Sequence, residues 1–439
     1  MKDIIAKIIF IVFDLLMIAL SVYLAFLLRE YFDTLEPFHT IPFVMYLNLY
    51  PLFIIPIVLF AYEGIYTYRY DFWHESRLII KGIMFSAVLI FAYLAMTKSI
   101  EDYSRLVIGF TFVFMMFFIP LARNLNKKML YRLKLWQKKA KIYGDDEFLT
   151  AEIYGNPYLG YIKPKGDEVF STIFVNSHKA DAKTLKHILA TQIRTQHEVI
   201  FIPLMDDYDL THAHIYELSN TQTNLIVYQN RLKSKYRHWF QEFYNYVLGI
   251  VLLPFLLIII GIIAIFIKSE SPGPLFFKHN RIGKKGRIIP IFKFRSMYRD
   301  ADLRLKSLLK EDERIKKEWE NNFKLKNDPR ITKVGKFLRK TSLDELPQIF
   351  NVLRGDMHFV GPRPVIQEEI DQYYKEEAEY YYMVKPGITG LWQVSGRSDT
   401  DYAFRVSIDK WYVLNWSLWL DIVILIKTIK VVLKKDGAY

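Results

Sequence analysis

The sequence predicts a membrane protein of mixed α and α/β class. It has a four-helix transmembrane bundle, a Rossmann-like α/β insert and a mainly α C-terminal domain holding a re-entrant membrane helix broken at proline. Three observations carry this. Of 439 residues, 52% are hydrophobic, high for a soluble chain. The apolar residues gather in runs long enough to span a bilayer. Between the runs lies a stretch where β-rich segments alternate with helix-like ones, the pattern of a parallel sheet.

The first four runs are Ile4–Leu28, Ile41–Tyr62, Leu78–Thr97 and Leu106–Arg123, giving a bundle over residues 1–137. Lysines and arginines orient it: Arg69, Arg77 and Lys81 follow the second run, and Lys127, Lys128, Arg132 and Lys134 follow the fourth. The loop between the third and fourth runs carries Glu101 and Asp102. The positive-inside rule then sets both ends of the bundle in the cytoplasm. Asp14 lies within the first span, where an acid either serves function or meets water or a neighbouring arginine.

Residues 138–232 form the insert, with strand runs KIYG, STIFVN, EVIFIP and NLIVYQ and the helix-like KADAKTLKHILATQIR between them. The first strand ends in a single glycine, Gly144, where a dinucleotide-binding turn needs G-x-G-x-x-G. The insert is therefore read as a spacing or dimerisation element without a phosphate loop.

Residues 233–439 open with NYVLGIVLLPFLLIIIGIIAIFIKSESPGP. Its length fits a span, but Lys278, Arg281, Lys284, Lys285 and Arg287 follow it and oppose crossing. Pro254 removes a helix hydrogen bond inside the run. A helix that enters, breaks at Pro254 and returns to the same face meets both facts. The closing KWYVLNWSLWLDIVILIKTIKVVLKK sets Trp411, Trp416 and Trp419 among apolar residues, with Asp421, Lys427 and Lys430. It reads as a helix lying in the membrane interface.

With 59 Lys plus Arg against 46 Asp plus Glu, the net charge is +13, which suits anionic lipid or phosphate-rich substrates. No nucleic-acid-binding motif accompanies it, so nucleic acid is not an expected partner. The absence of cysteine excludes disulfides and thiolate chemistry.

The chemistry concentrates in TSLDELPQ, residues 341–348. Ser342 and Glu345 have the spacing of a capping box, and Asp344 is the acid that box leaves over. A helix start favours anions and lowers a nearby carboxyl pKa. Two adjacent carboxylates, Asp344 and Glu345, can hold Mg²⁺ together with substrate phosphates. Basic residues surround them: Arg339 and Lys340 before, Arg354 and Arg363 of GPRP after, and Lys293 and Arg295 of KFRSM upstream. Arg397, closing VSGR, completes the set of phosphate or nucleotide candidates. The whole resembles a pyrophosphate site.

KFRSMYRDAD, RKTSLDELPQIFNVLRGDMHFVGPRPV, VKPGITGLWQVSGR and NWSLWLDIVILIKTI closely resemble the bacterial polyprenyl-phosphate hexose-1-phosphate transferases. These are monotopic phosphoglycosyl transferases, and the whole layout is similar to their large members. The resemblance implies an enzyme of the bacterial inner membrane, working at the cytoplasmic face. It would move a hexose-1-phosphate from a UDP-sugar to undecaprenyl phosphate and release UMP. That is the first membrane step of O-antigen, capsule or exopolysaccharide synthesis. It further implies Asp344 as nucleophile forming an aspartyl-phosphate-sugar, Glu345 as a holder of Mg²⁺, and Lys293, Arg339 and Arg363 as phosphate contacts. A homodimer is expected. Two departures stand out: Leu253 where many relatives have Ser before the breaking proline, and Asn245 where many have an acid. Two other classes stay open, a membrane glycosyltransferase releasing UDP and a non-catalytic membrane scaffold.

Overall fold

A computed structural model gives the architecture. It describes residues 2–33, 41–144, 147–165, 168, 170–176, 198–202, 214–218, 223–227, 235–301, 303, 305, 307, 310, 328–395 and 401–434. The helix-like stretch 179–194 and Arg397 lie outside these residues. The chain divides into two compact units, Met1–Leu204 and Met205–Tyr439.

The first unit opens with apolar helices α1 (Lys2–Asp33), α2 (Phe43–Leu47), α3 (Pro51–Tyr62), α4 (Phe72–Met96) and α5 (Arg105–Arg132). The second expected span is thus two helices, divided at Asn48 to Tyr50 ahead of Pro51. The helices share one core that includes Ile18, Leu52, Ile83 and Met115. Asp14 is buried in it and satisfied: it pairs with Arg123 and accepts the Tyr66 hydroxyl at 2.7 Å. Glu75, also buried, pairs with Lys127 and accepts the Tyr158 hydroxyl at 2.8 Å. These acids are matched by cations and hydroxyls, as burial of charge requires.

The α/β part holds β1 (Lys138–Tyr143), α6 (Glu147–Gly155), β2 (Tyr161–Ile162), β3 (Thr172–Asn176) and β4 (Glu198–Ile202). The sheet runs β2-β1-β3-β4, parallel throughout. All of β3 is buried, as a continuous apolar run in a parallel sheet should be. Gly144 has φ +83°, and a Cβ there would stand 2.7 Å from the Asn176 carbonyl oxygen. The lone glycine therefore serves a tight packing turn. The fourth predicted strand does not join this sheet. It lies in the second unit as β6 (Thr223–Val227), antiparallel to β5 (His214–Leu218). An apolar strand run fixes neither partner nor direction.

The second unit begins with α7 (Lys235–Glu270), which runs unbroken through Pro254. The expected break is not a gap in the helix, because one lost hydrogen bond does not halt a long helix held by its neighbours. Both flanks of α7 are held by this same unit. Asn245 accepts the Phe359 amide at 2.8 Å, and Glu242 takes Lys385 at 2.5 Å. At the other end Glu270 accepts the Lys333 and Val334 amides at 2.6 and 2.8 Å. Between the flanks Ile250, Phe255, Ile258, Ile262 and Ile265 are exposed, while Leu253 packs partly on the unit's core. Among the described residues, five stretches are long and apolar enough to cross a membrane: Lys2–Phe32, Phe43–Tyr62, Phe72–Met96, Arg105–Arg132 and His238–Glu270.

Next come the antiparallel β7 (Phe276–Ile282) and β8 (Ile288–Phe294), helix α8 (Lys333–Lys340), and the parallel pair β9 (His358–Val360) and β10 (Gly387–Thr389). The chain closes with α9 (Tyr402–Leu414) and α10 (Leu418–Lys434). Two residues that carried the interfacial reading lie elsewhere than expected. Trp416 and Asp421 are buried, and Asp421 accepts Trp416 Nε1 at 3.0 Å and the Tyr412 hydroxyl at 2.8 Å, with the Tyr244 hydroxyl also bonded. Neither residue faces headgroups. What α10 exposes is the apolar row Ile426, Ile429 and Val432.

Candidate active site

The site is built where α8 hands over to the next turn of chain. Thr332 caps α8, its hydroxyl accepting the Gly335 amide at 2.8 Å. Gly335 lets the helix lie on the backbone of Ser296, where a Cβ would come within 2.0 Å of the Ser296 carbonyl oxygen. After α8, Ser342 adopts a left-handed conformation, φ 55°. That reverses the chain into a six-residue 3-10 helix, Leu343–Gln348, which carries Asp344 and Glu345. Pro347 and Gln348 are buried and anchor it.

The capping box does not form. Ser342 makes no side-chain cap, and the Glu345 carboxylate turns to Lys293, whose Nζ donates to Oε1 at 2.6 Å. A backbone in the left-handed region does not aim its hydroxyl at the amides ahead, as a capping residue in the extended region does. Lys293 is aligned by Asn351, which accepts the Phe292 amide at 3.0 Å and donates to the Pro290 carbonyl at 2.8 Å.

Asp344 is half-buried and, among the described residues, has no ion pair. Burial, then the neighbouring Glu345, push its carboxyl above the ordinary range, while Lys293 and Arg339 pull the other way. The expected lowering by the helix start is outweighed, because a short 3-10 helix offers little dipole against desolvation. Arg339 is held by donating Nε to the Ser296 hydroxyl at 2.9 Å.

The structure separates the other basic candidates. Arg295 is buried and spent on backbone at the end of α7, donating to the Pro272 carbonyl at 3.0 Å and to that of Ser271. It seals a helix terminus and does not join Lys293 and Arg339 at the carboxylates, because β8 ends at Phe294 and Arg295, past that end, is freed from the strand's alternation. Arg354 pairs with Asp356 at 3.3 Å. Arg363 is exposed, 5.9 Å from the Trp392 ring centre. The sequence reading missed Ser296, Gly335, Asn351 and Glu270. Ser296 and Asn351 stand inside quoted motifs, but their bonds span 43 and 59–61 residues of chain.

Among the described residues no three His, Cys, Asp or Glu side chains gather to cage a metal. Two adjacent carboxylates, with one Glu345 oxygen not taken by Lys293, are instead the donor set Mg²⁺ takes alongside substrate phosphates. The residues present therefore fit that ion.

Residues 236–435 match the family model described as bacterial sugar transferase. The chain is 36% identical over 407 residues to the undecaprenyl-phosphate galactose phosphotransferase of Salmonella typhimurium, covering 85% of this chain and 84% of that one. It is 35% identical over 409 residues to the UDP-galactose-lipid carrier transferase of Erwinia amylovora, with the same coverage. To the UDP-glucose:undecaprenyl-phosphate glucose-1-phosphate transferase of Klebsiella pneumoniae it is 32% identical over 285 residues, 63% of this chain and 58% of that one.

Proposed function

From the premise that the chain belongs to the bacterial sugar transferase family, as a sugar-1-phosphate transferase, we propose that it transfers a hexose-1-phosphate from a UDP-sugar to undecaprenyl phosphate. The products are undecaprenyl-diphosphate sugar and UMP. The observation that carries this is the division of labour in the carboxylate pair: Glu345 is engaged by Lys293, while Asp344, beside Arg339, has no ion pair among the described residues.

An Asp344 oxygen attacks the sugar-linked phosphorus, and the bond from that phosphorus to the bridging oxygen of UMP breaks. UMP leaves with the electron pair. The Asp344 carboxyl then carries the sugar phosphate. A phosphate oxygen of the polyprenyl acceptor attacks the same phosphorus and returns the carboxylate. Arg339 and Lys293 stabilise the charge on the transferred group. Asp344 and Glu345 would hold Mg²⁺, which when bound screens the diphosphate charge.

The placement of α7 supports work at one membrane face. Both its flanks bond to the same unit while the middle is apolar and exposed. A crossing helix would set its ends on opposite sides of a core about 30 Å thick. We read α7 as dipping into the membrane and kinked at Pro254, with both its flanks at one face, the site in the cytoplasm of a bacterium and α10 resting its apolar row on the inner membrane. Accessibility tags after Ile267 label from the cytoplasm on this reading, and labelling from the other side refutes it. The reaction is tested with purified full-length protein, undecaprenyl phosphate, Mg²⁺ and a panel of UDP-sugars. UMP release supports the reading. UDP release, or no nucleotide release across the panel, sinks it.

A further inference from the structure

The β7–β8 ribbon leads from the carboxylates to a second cluster of charge and rings. Its register pairs Phe277 with Lys293 and Arg281 with Ile289. Residues opposite one another, and those two apart, share a face, so Lys293, His279 and Arg281 line the same one. Four strand steps of about 3.4 Å separate the Lys293 level from the Arg281 level, about 14 Å in all. His279 lies between, and burial first, then the two cations, hold its imidazole below the usual range.

At the far end Arg281 meets Glu369 at 3.3 Å. Glu369 also accepts the Ile366 amide at 2.9 Å and bonds the Tyr402 hydroxyl. Tyr402 stacks on Tyr373 with ring centres 3.8 Å apart. The Arg405 guanidinium lies 5.6 Å from the Tyr402 ring centre and 4.8 Å from that of Trp392, and Arg363 reaches the same indole at 5.9 Å. Three guanidiniums thus gather around Tyr402, and among the described residues Glu369 pairs with Arg281 alone of them. Among the described residues Arg363 and Arg405 have no ion pair, and Arg405 Nε is buried without a partner. Packing alone accounts for the rings, but among the described residues it leaves two cations without an ion-pair partner. Held on ring faces, these guanidiniums are oriented donors without a carboxylate acceptor among the described residues.

The complement of such a cluster is flat and edged with acceptors, tethered to a diphosphate a nucleotide's length away. We propose that Arg405, Arg363 and Trp392 receive the uracil ring of the UDP-sugar, with Arg405 selecting uracil by donating to its carbonyl oxygens. This rests on the UDP-sugar reading above. Cytosine presents an amino donor where uracil has a carbonyl, so a donor-only wall rejects it.

The test measures binding of UMP and CMP to the purified full-length protein by calorimetry, beside transfer kinetics. Wild type binds UMP at least about tenfold tighter than CMP. Arg405→Gln brings the two affinities together, chiefly by weakening UMP about tenfold, and raises KM for UDP-sugar more than it lowers kcat. Arg405→Lys keeps the charge, loses the fork and falls between; melting curves check that both variants fold. If folded Arg405→Gln keeps the wild-type UMP to CMP ratio, the base pocket is overturned, whatever its turnover. Because nucleotide binding is read without turnover, a wild type that binds UMP selectively yet transfers nothing counts against the reaction and leaves the pocket standing.

Discussion

Gly335→Ala puts the packing of the site to a quantitative test. The added Cβ would stand 2.0 Å from the Ser296 carbonyl oxygen, with the Ser296 carbon and Cα at 2.7 and 2.8 Å. All three are backbone atoms, so no side chain can swing aside. Ordinary contact begins at 3.4 Å, so α8 and the Ser296 backbone must part by about 1.4 Å. That displacement strains the Arg339–Ser296 bond of 2.9 Å and the Thr332–Ser296 backbone bond of 3.1 Å. Misplacing a reacting group by about 1 Å costs about 10²-fold in rate. Overpacking costs about 1–3 kcal/mol, partly offset by about 1 kcal/mol of helix propensity. The expected outcome is kcat for UMP release down about 10²-fold and a modestly lowered melting temperature. Gly261→Ala is the control: nothing lies within 4 Å of its Cβ position, so activity stays at wild type. A folded Gly335→Ala with wild-type kcat would refute the claim that this contact sets Arg339 in place.

Lys293→Met removes the cation on Glu345 and lowers kcat by about 10²-fold, while stability changes by less than about 1 kcal/mol because the pair is partly exposed; equal losses of rate and stability contradict this. Arg295→Met does the reverse, leaving the Ser271 and Pro272 carbonyls unpaired, so it lowers the melting temperature while KM for UDP-sugar holds. A selective rise in KM would return Arg295 to the substrate. Burial pushes the Asp409 carboxyl up to about 7, against the pull of its bond from the Tyr374 hydroxyl at 2.7 Å. The folded state therefore holds this proton more tightly than the unfolded one, and the stability so gained is full below about pH 4 and lost as pH rises to about 7, about 4 kcal/mol in total. Asp409→Asn keeps an acceptor for Tyr374 and raises the melting temperature at pH 8 more than at pH 5; equal shifts at both would contradict the assignment.

The apolar runs and the basic setting of Asp344 and Glu345 were legible because they depend on composition and local order. The parallel strands showed too, as short β-rich runs between helical ones. Four features were not legible, each for a physical reason. Ser342 and Glu345 have capping-box spacing, yet Lys293, 52 residues away in sequence, takes the carboxylate. Lys293 and Arg295 look alike in KFRSM, but β8 ends at Phe294 between them, so one stays on the strand face at the carboxylates and the other turns to the carbonyls at the end of α7. Trp416 and Asp421 suggest an interfacial helix, while three hydroxyl and indole donors draw Asp421 into the core. Gly335 is one glycine among 19, and only its approach to Ser296 shows why no larger residue fits.

The central claim is that Asp344 becomes covalently bonded to the sugar phosphate. Intact-mass measurement of purified protein given UDP-sugar and Mg²⁺ without lipid acceptor tests it most directly. The account predicts a gain of one hexose phosphate, mapping to Asp344, discharged by undecaprenyl phosphate and absent from folded Asp344→Asn. A wild type that turns over yet never carries the adduct, with Asp344→Asn keeping its rate, would contradict it.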